Sequence, residues 1–222
     1  MPRNESDQKN AQHIKDMRRN YTKQELIASA LPVTPFELFD TWFHDAVQYE
    51  TSEPNAMILA TASKAGIPSA RVVLLKGFDT SGFVFYTNYQ SQKGKELEEN
   101  PVAALVFHWN TLERQVRITG GVSKITREET ESYFRSRPRE SQISALVSPQ
   151  SHPLETKEII KAKARSVEIE YNGKDIPFPE NWGGYRLRPN SIEFWQGGAH
   201  RLHDRIRYQL TSSGWGKTRL AP

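Results

Sequence analysis

What most limits the architectures open to this chain is the way its apolar runs are joined. Ala56–Ala62 (AMILATA), Ser69–Phe78 (SARVVLLKGF) and Phe83–Asn88 (FVFYTN) are rich in β-branched and aromatic residues and read as strands. Only Gly66-Ile67-Pro68 and Asp79-Thr80-Ser81-Gly82 punctuate them, and both are turn signals. Val102–Trp109 and Arg114–Ile125 follow, the second carrying Gly120-Gly121, where a bulge is expected. Gly184–Arg188, Ile192–Gln196, Arg205–Leu210 and Trp215–Leu220 close the series. Parallel neighbours need long crossovers, whereas antiparallel ones can be joined by a tight turn. The expected fold is mainly β with peripheral helices (α+β), an antiparallel meander forming a barrel or sandwich.

The helices carry their own start signals. Thr34-Pro35-Phe36-Glu37 combines an N-cap, a proline at the first helical position and a capping-box glutamate. Phe36, Phe39, Phe43 and Ala46/Val47 then recur at helical spacing, predicting a helix of about 14 residues. Ser91 caps a short helix to Glu99, stopped by Asn100-Pro101. Thr126-Arg127-Glu128-Glu129 opens another, through Tyr133 to about Ser136, and Arg137-Pro138 ends it. A polar helix is expected over Leu154–Glu170. Residues 1–24 are polar and mixed in charge, a mobile segment with at most a helical turn around Ile14–Tyr21. No repeat or linker divides residues 25–222, which are expected to form one domain.

Composition removes several functions. At 222 residues the chain can bury a core without a disulfide or metal staple. It has no cysteine, so disulfide scaffolds, zinc fingers, thiolate clusters and cysteine nucleophiles are excluded. No apolar run approaches the roughly 18 residues of a membrane span. The first residues (MPRNESDQKNAQHIKD) lack an apolar signal core, so a cytoplasmic location is expected. The net charge is +4, and its excess is C-terminal. Residues 183–222 hold Arg186, Arg188, Arg201, Arg205, Arg207, Lys217 and Arg219 against only Glu193 and Asp204. Nucleic acid, a phosphorylated small molecule or a solvated face could each answer that charge. An RNA binder should interleave aromatics with Lys/Arg on adjacent strands. Here the strand Phe and Tyr alternate with apolar neighbours, so no nucleic acid partner is expected.

No G-x-G-x-x-G fingerprint is present, and Gly214-Trp215-Gly216-Lys217-Thr218 lacks a phosphate-loop spacer and reads as a hairpin turn. His200-x-x-His203 has a metal-site spacing, but Arg201 and Arg205 flank it with no carboxylate except Asp204, so no metal is expected. Anion binding is the stronger reading. Arg71 and Lys76 sit at odd and even positions of one expected strand, hence on opposite faces, which suits two phosphates in two places. Ser91-Gln92-Lys93 opens a helix, where free N–H groups favour an anion. Tyr133 and Arg137 lie four apart on a helix with Ser141 just past its end, each a phosphate-oxygen donor. Trp195-Gln196-Gly197-Gly198-Ala199-His200-Arg201-Leu202-His203-Asp204-Arg205 concentrates charges that are costly to bury without a partner.

These residues resemble the pyridoxine (pyridoxamine) 5′-phosphate oxidase family. The likeness rests on Arg71–Lys76, Phe85–Asn88, Glu113–Val116, Tyr133–Arg139, Phe194–Gly198, Arg201–Arg205 and the terminal Arg219-Leu220-Ala221-Pro222. It implies an FMN-binding split β-barrel and a homodimer with FMN at the subunit interface. FMN would be held from one subunit at the Arg71, Val72, Val73, Leu74, Leu75, Lys76, Tyr86, Thr87, Gln92, Lys93 and Gln115 positions. Gln150, Ser151, Trp195 and Arg205 would come from the other. Substrate phosphate would lie at Lys76, Tyr133, Arg137 and Ser141, with Arg201 and His203 as the catalytic pair over the pyridine ring. Arg18 and Tyr21 would belong to an N-terminal lid. The implied reaction oxidises pyridoxine 5′-phosphate or pyridoxamine 5′-phosphate to pyridoxal 5′-phosphate by hydride transfer to FMN. Dioxygen then reoxidises the flavin, giving hydrogen peroxide. The sequence departs from the family pattern at Gln92 (usually Arg), Glu53 (usually Asp), Ser144-Ala145-Leu146 (commonly Gly-Ala-Trp), Pro149 and His152. Weaker FMN binding is the expected consequence.

Overall fold

The computed structural model describes Tyr21, Leu26, Ile27 and residues 30–222. Helix α1 (Pro35–Tyr49) precedes strands β1 (Ala56–Ala62), β2 (Pro68–Leu74), β3 (Gly77–Asp79) and β4 (Gly82–Asn88). Helix α2 (Gln92–Glu99) leads to β5 (Val102–Trp109) and β6 (Arg114–Lys124). Three helices follow, α3 (Arg127–Ser136), α4 (Arg139–Val147) and α5 (Lys157–Glu170), then β7 (Trp182–Gln196), β8 (Asp204–Thr211) and β9 (Gly214–Leu220). Every pairing is antiparallel, in the order β2-β1-β5-β6-β7-β4-β3, with β8 on β7 and β9 on β8. This curled sheet with helices outside it is the mainly β architecture expected. Among the described residues no helix is long and apolar enough to cross a membrane.

The sheet closes over α1. Phe39 is fully buried, with the rings of Phe43, Phe78, Phe83, Phe107 and Trp109 at 4.8–6.1 Å. Phe36, Leu38, Trp42 and Ala46 share that buried face, whereas Val47 is exposed. The expected capping box forms differently: Thr34 donates its hydroxyl to the Glu37 carboxylate at 2.8 Å and caps no backbone N–H. At α3 the box is regular, with Glu129 N–H donating to Thr126 Oγ1 at 3.1 Å. A second cluster of Phe134, Ile143, Ala145, Ile176 and Trp182 lies beneath α3–α5.

Four expectations differ from the structure. The run Ser69–Phe78 is not one strand, because the backbone changes partner at Leu75. Leu75 N–H donates to Asn55 O at 2.8 Å, and Lys76 N–H donates to Val84 O at 2.9 Å, so the chain turns from β1 toward β4. The two strands expected within residues 184–196 are one, β7, which pairs with β4 over its first half and β8 over its second. The bulge expected at Gly120 falls between Thr119 and Gly120. A Cβ on Gly120 would stand 2.0 Å from Arg188 O, so only glycine permits that approach. Finally, Arg137-Pro138 ends α3 but does not end the helical region. Arg137 takes the extended geometry that a following proline demands. Pro138 O then accepts from Ser141 and Gln142 N–H, and α4 starts at once. Leu154–Thr156 stay outside α5.

Candidate functional site

The C-terminal end of β4 opens into a cavity of about 520 Å³, within the usual range for ligand pockets. Arg71, Val72, Val73, Leu74 and Lys76 form one wall, and Tyr86, Thr87 and Lys93 another. Tyr133, Arg137, Ser144, Ala145, Gln150, Ser151 and Trp182 complete it. Arg71 and Lys76 thus face one space and not two, because the turn at Leu75 breaks the alternation on which the two-face expectation rested. Leu75 itself is buried in the main core.

One end of the cavity is built around Lys93. Ser91 caps α2 by accepting from Gly94 N–H, which fixes the first turn. Buried Lys93 donates to Thr87 Oγ1 at 3.2 Å, Ser91 Oγ at 3.4 Å and Gln150 Oε1 at 3.2 Å, all neutral acceptors. Burial, and then the Arg71 charge, pull the Lys93 pKa down, while Glu96 opposes them. Gln150 and Ser151 line this cavity within the same chain, whereas the family resemblance implies a reach to FMN from the other subunit. The loop after α4 folds back over β4, and Thr87 Oγ1 donates to Gln150 Oε1 at 3.0 Å. Pro149 and His152 leave that contact intact.

Glu96 belongs to no motif in the sequence, yet it organises this end. Its carboxylate accepts from Ser69 Oγ at 2.6 Å, from Gln92 Nε2 at 2.9 Å and from Thr61 Oγ1. It also pairs with Arg71 Nη2 at 3.3 Å. Burial pushes this carboxyl up, but the bonds from Ser69, Thr61 and Gln92 and the Arg71 charge hold it below its ordinary value. Arg71 Nη1 donates to Thr61 Oγ1 at 2.6 Å and Leu59 O at 3.2 Å. Gln92, expected on a cofactor, spends its amide on Glu96 one helical turn away and is not part of the cavity wall. The signal available in the sequence is that Glu96 lies i+4 from Gln92 and i+3 from Lys93 on a helix opening.

The other end is aromatic and cationic. Tyr133 stacks on Tyr86 at 3.9 Å, and Tyr86 lies 5.3 Å from Trp182. Burial, then the Glu129 charge, push the Tyr86 hydroxyl up to about 12, so it stays a neutral donor. The Arg137 guanidinium sits 4.6 Å over Trp182, and its buried Nη1 has no hydrogen-bond partner. Burial pulls the Arg137 pKa below its ordinary value. Ser141 is in the first turn of α4, not beyond a helix end, and Ser144 lines the cavity where Ser141 was expected. Leu146 packs in the second apolar cluster.

Gln115, Trp195, Arg201, His203 and Arg205 are not brought to this cavity. Gln115 faces Trp195 across the β6–β7 ladder, and Trp195 faces Arg205 across β7–β8. Gln115 and Arg205 therefore flank Trp195 on the sheet. Trp195 and His203 rings are 4.7 Å apart, and Tyr21 lies 5.7 Å and 5.6 Å from them. Gly197 makes room, since a Cβ there would come within 2.8 Å of the Tyr21 ring. Arg205 donates to Glu193 Oε1 at 2.9 Å, which raises its pKa. His200 and exposed Arg201 have φ of 53° and 64°, left-handed geometry that non-glycine residues seldom adopt. Arg18 and the helical turn expected before Tyr21 lie outside the described residues.

His203 Nδ1 accepts from Gly198 N–H at 3.1 Å, which leaves Nε2 to carry the proton of the neutral ring. Burial, then the Arg201 charge, lower its pKa. A proton NMR titration is expected to place His203 below 6.5, and Arg201→Gln should move it upward. A downward move on removing Arg201 would contradict the assigned cause.

The family described as pyridoxamine 5′-phosphate oxidase matches residues 43–171. The chain belongs to that family. A second match, described as the pyridoxine 5′-phosphate oxidase C-terminal dimerisation region, covers residues 182–222. The pyridoxine/pyridoxamine 5′-phosphate oxidase of Polynucleobacter asymbioticus is 53% identical over 94% of this chain and 99% of that protein. The protein of the same name from Acaryochloris marina is 50% identical, over 94% and 95%. PhzG from Burkholderia lata, solved with tetrahydrophenazine-1-carboxylic acid, superposes with a TM-score of 0.84 at 30% identity, covering 90% of this chain and 99% of that one. A pyridoxamine 5′-phosphate oxidase-related, FMN-binding protein from Nostoc punctiforme shares the fold, with a TM-score of 0.71 at 17% identity over 86% and 100%.

Proposed function

We infer that this chain oxidises pyridoxine 5′-phosphate and pyridoxamine 5′-phosphate to pyridoxal 5′-phosphate, using FMN and dioxygen. One observation carries the reading: two cations of the cavity wall, Lys93 and Arg137, have no anion of their own among the described residues. Arg137 holds a buried Nη1 without a partner, and Lys93 bonds only neutral oxygens. Such groups cost several kcal/mol to bury unless a ligand supplies the opposite charge. The donors fit FMN, whose phosphate would be held by Lys93, Arg71 and the free N–H groups that open α2. Lys76, Tyr133 and Arg137 are left for the phosphate of the substrate. When bound, FMN supplies the oxidant, accepting a hydride from the substrate C4′ carbon and passing the electrons to dioxygen to give hydrogen peroxide.

The protein's part is binding and orientation. Tyr86 remains protonated at the wall, and neutral His203 offers Nε2–H to a ring substituent. Arg201 would fix the pyridine ring in a near-attack pose. A homodimer explains how that pair reaches a ligand. Trp195 stands thirteen residues beyond Trp182 on β7, roughly 40 Å of extended strand. A second copy would bring its own Trp195, Arg201, His203 and Arg205 to the cavity, and the dimerisation-region match supports this.

Anaerobic mixing of the FMN-loaded protein with each phosphorylated vitamer tests cofactor, substrate and hydride transfer together. The flavin colour should bleach with both and return on admitting air. Unphosphorylated pyridoxine at the same concentration should leave it unchanged. A flavin that stays oxidised with both phosphates would end this reading.

A further inference from the structure

Trp182 has no role assigned by the sequence motifs, yet three cavity residues rest on it. It is 7% exposed, with its indole nearly parallel to Tyr86 (5.3 Å, 13°) and Tyr133 (6.3 Å, 9°). The Arg137 guanidinium lies 4.6 Å over the same ring. Among the described residues Arg137 makes no ion pair, and its Nη1 bonds nothing. Its backbone is tied down, by N–H to Phe134 O and by the carbonyl accepting from Gln142 Nε2. The indole is thus the group that decides where the charged end of the side chain stands.

We propose that Trp182 is a positioning residue for phosphate recognition. Its face holds the Arg137 guanidinium by cation–π attraction and leaves Nη1 free for a phosphate oxygen of the substrate. The proposal rests on the phosphate reading given above. An aromatic face suits this task better than a carboxylate. It attracts the cation without occupying its N–H groups, and the partly desolvated site strengthens the attraction. It also orders a side chain that would otherwise lose rotamer freedom on binding.

The test compares Trp182→Leu, which keeps apolar bulk without a π face, with Trp182→Phe, which keeps a weaker one. In FMN-loaded protein the leucine variant should raise KM for pyridoxine 5′-phosphate about tenfold, with kcat within about twofold. Inorganic phosphate, measured by calorimetry, should weaken in parallel. The phenylalanine variant should fall between, about threefold, and keeps the proposal testable if the leucine variant does not fold. In an Arg137→Gln background, Trp182→Leu should add nothing, because a residue acting through Arg137 has nothing left to act on. Equal losses in both backgrounds, or an unchanged KM for Trp182→Leu, would overturn the proposal. If Arg137→Gln itself leaves KM and phosphate binding unchanged, the phosphate reading falls and takes the proposal with it.

Discussion

Lys93→Met is expected to melt at a higher temperature than the wild-type chain when both are free of flavin, and to bind FMN about a hundredfold more weakly. Both effects have one cause. Lys93 is buried, and its ammonium meets three neutral oxygens but no carboxylate among the described residues. Taking an ammonium out of water costs several kcal/mol, and replacing buried charged groups by apolar side chains of similar volume is often neutral or stabilising, by up to about 4 kcal/mol. The same replacement removes a charge-assisted bond to a phosphate, about 2–3 kcal/mol and so roughly a hundredfold in affinity. Riboflavin, which lacks the phosphate, should bind both proteins alike.

The pH dependence has a definite sign. Burial holds the folded Lys93 pKa below 10.5, so between the two values the unfolded chain binds more protons. The wild-type penalty is constant below the folded pKa and is relieved as pH rises through that value toward 10.5. Calorimetric melting of the two flavin-free proteins should therefore show a constant gap at low pH that narrows on the alkaline side. A gap that widens there, or no gap at all, would remove the buried cation as its cause.

Phe39→Ala is expected to destabilise the fold by about 4 kcal/mol, a cavity in the middle of the main core. Phe39 is fully buried and has five aromatic rings around it. For a domain of this size the midpoint of thermal unfolding should fall by roughly 8–16 °C. Phe39→Leu should recover part of that loss. A shift no larger than that of an exposed Val47→Ala control would mean that the ring cluster contributes little.

Much of this was legible before any coordinates. Local rules sufficed where one element answers to its own residues: β1 and β5 run as read, Ser91 and Thr126 cap their helices, and Gly120 marks the bulge. They failed where a distant partner decides. Strand β2 ends at Leu74 because the next two N–H groups, of Leu75 and Lys76, donate to Asn55 and Val84, and no periodicity encodes that. The helix α4 was hidden because Arg137-Pro138 is a valid stop signal, and a stop does not forbid a restart. Charge pattern picks out Arg71, Lys76, Lys93, Tyr133 and Arg137 as anion binders, and the family resemblance adds Tyr86 and Thr87. Strand alternation, however, puts Arg71 and Lys76 on opposite faces where the structure has them in one cavity. Pattern and resemblance both missed Glu96 and Trp182, which work through other side chains and carry no signature of their own.

The long strand β7 also bears on how such a chain can change over time. Its first residue is in the cavity wall and its last pairs with the strand that carries Arg205. Side chains alternate across a sheet, so inserting or deleting one residue would turn every later side chain to the opposite face. The single slack position, opposite Thr119/Gly120, is already taken up by the bulge. Substitutions along β7 can therefore accumulate at exposed positions such as Arg188 and Asn190, while its residue count stays fixed. For this strand, a change of one residue in length disturbs more than the exchange of any exposed side chain.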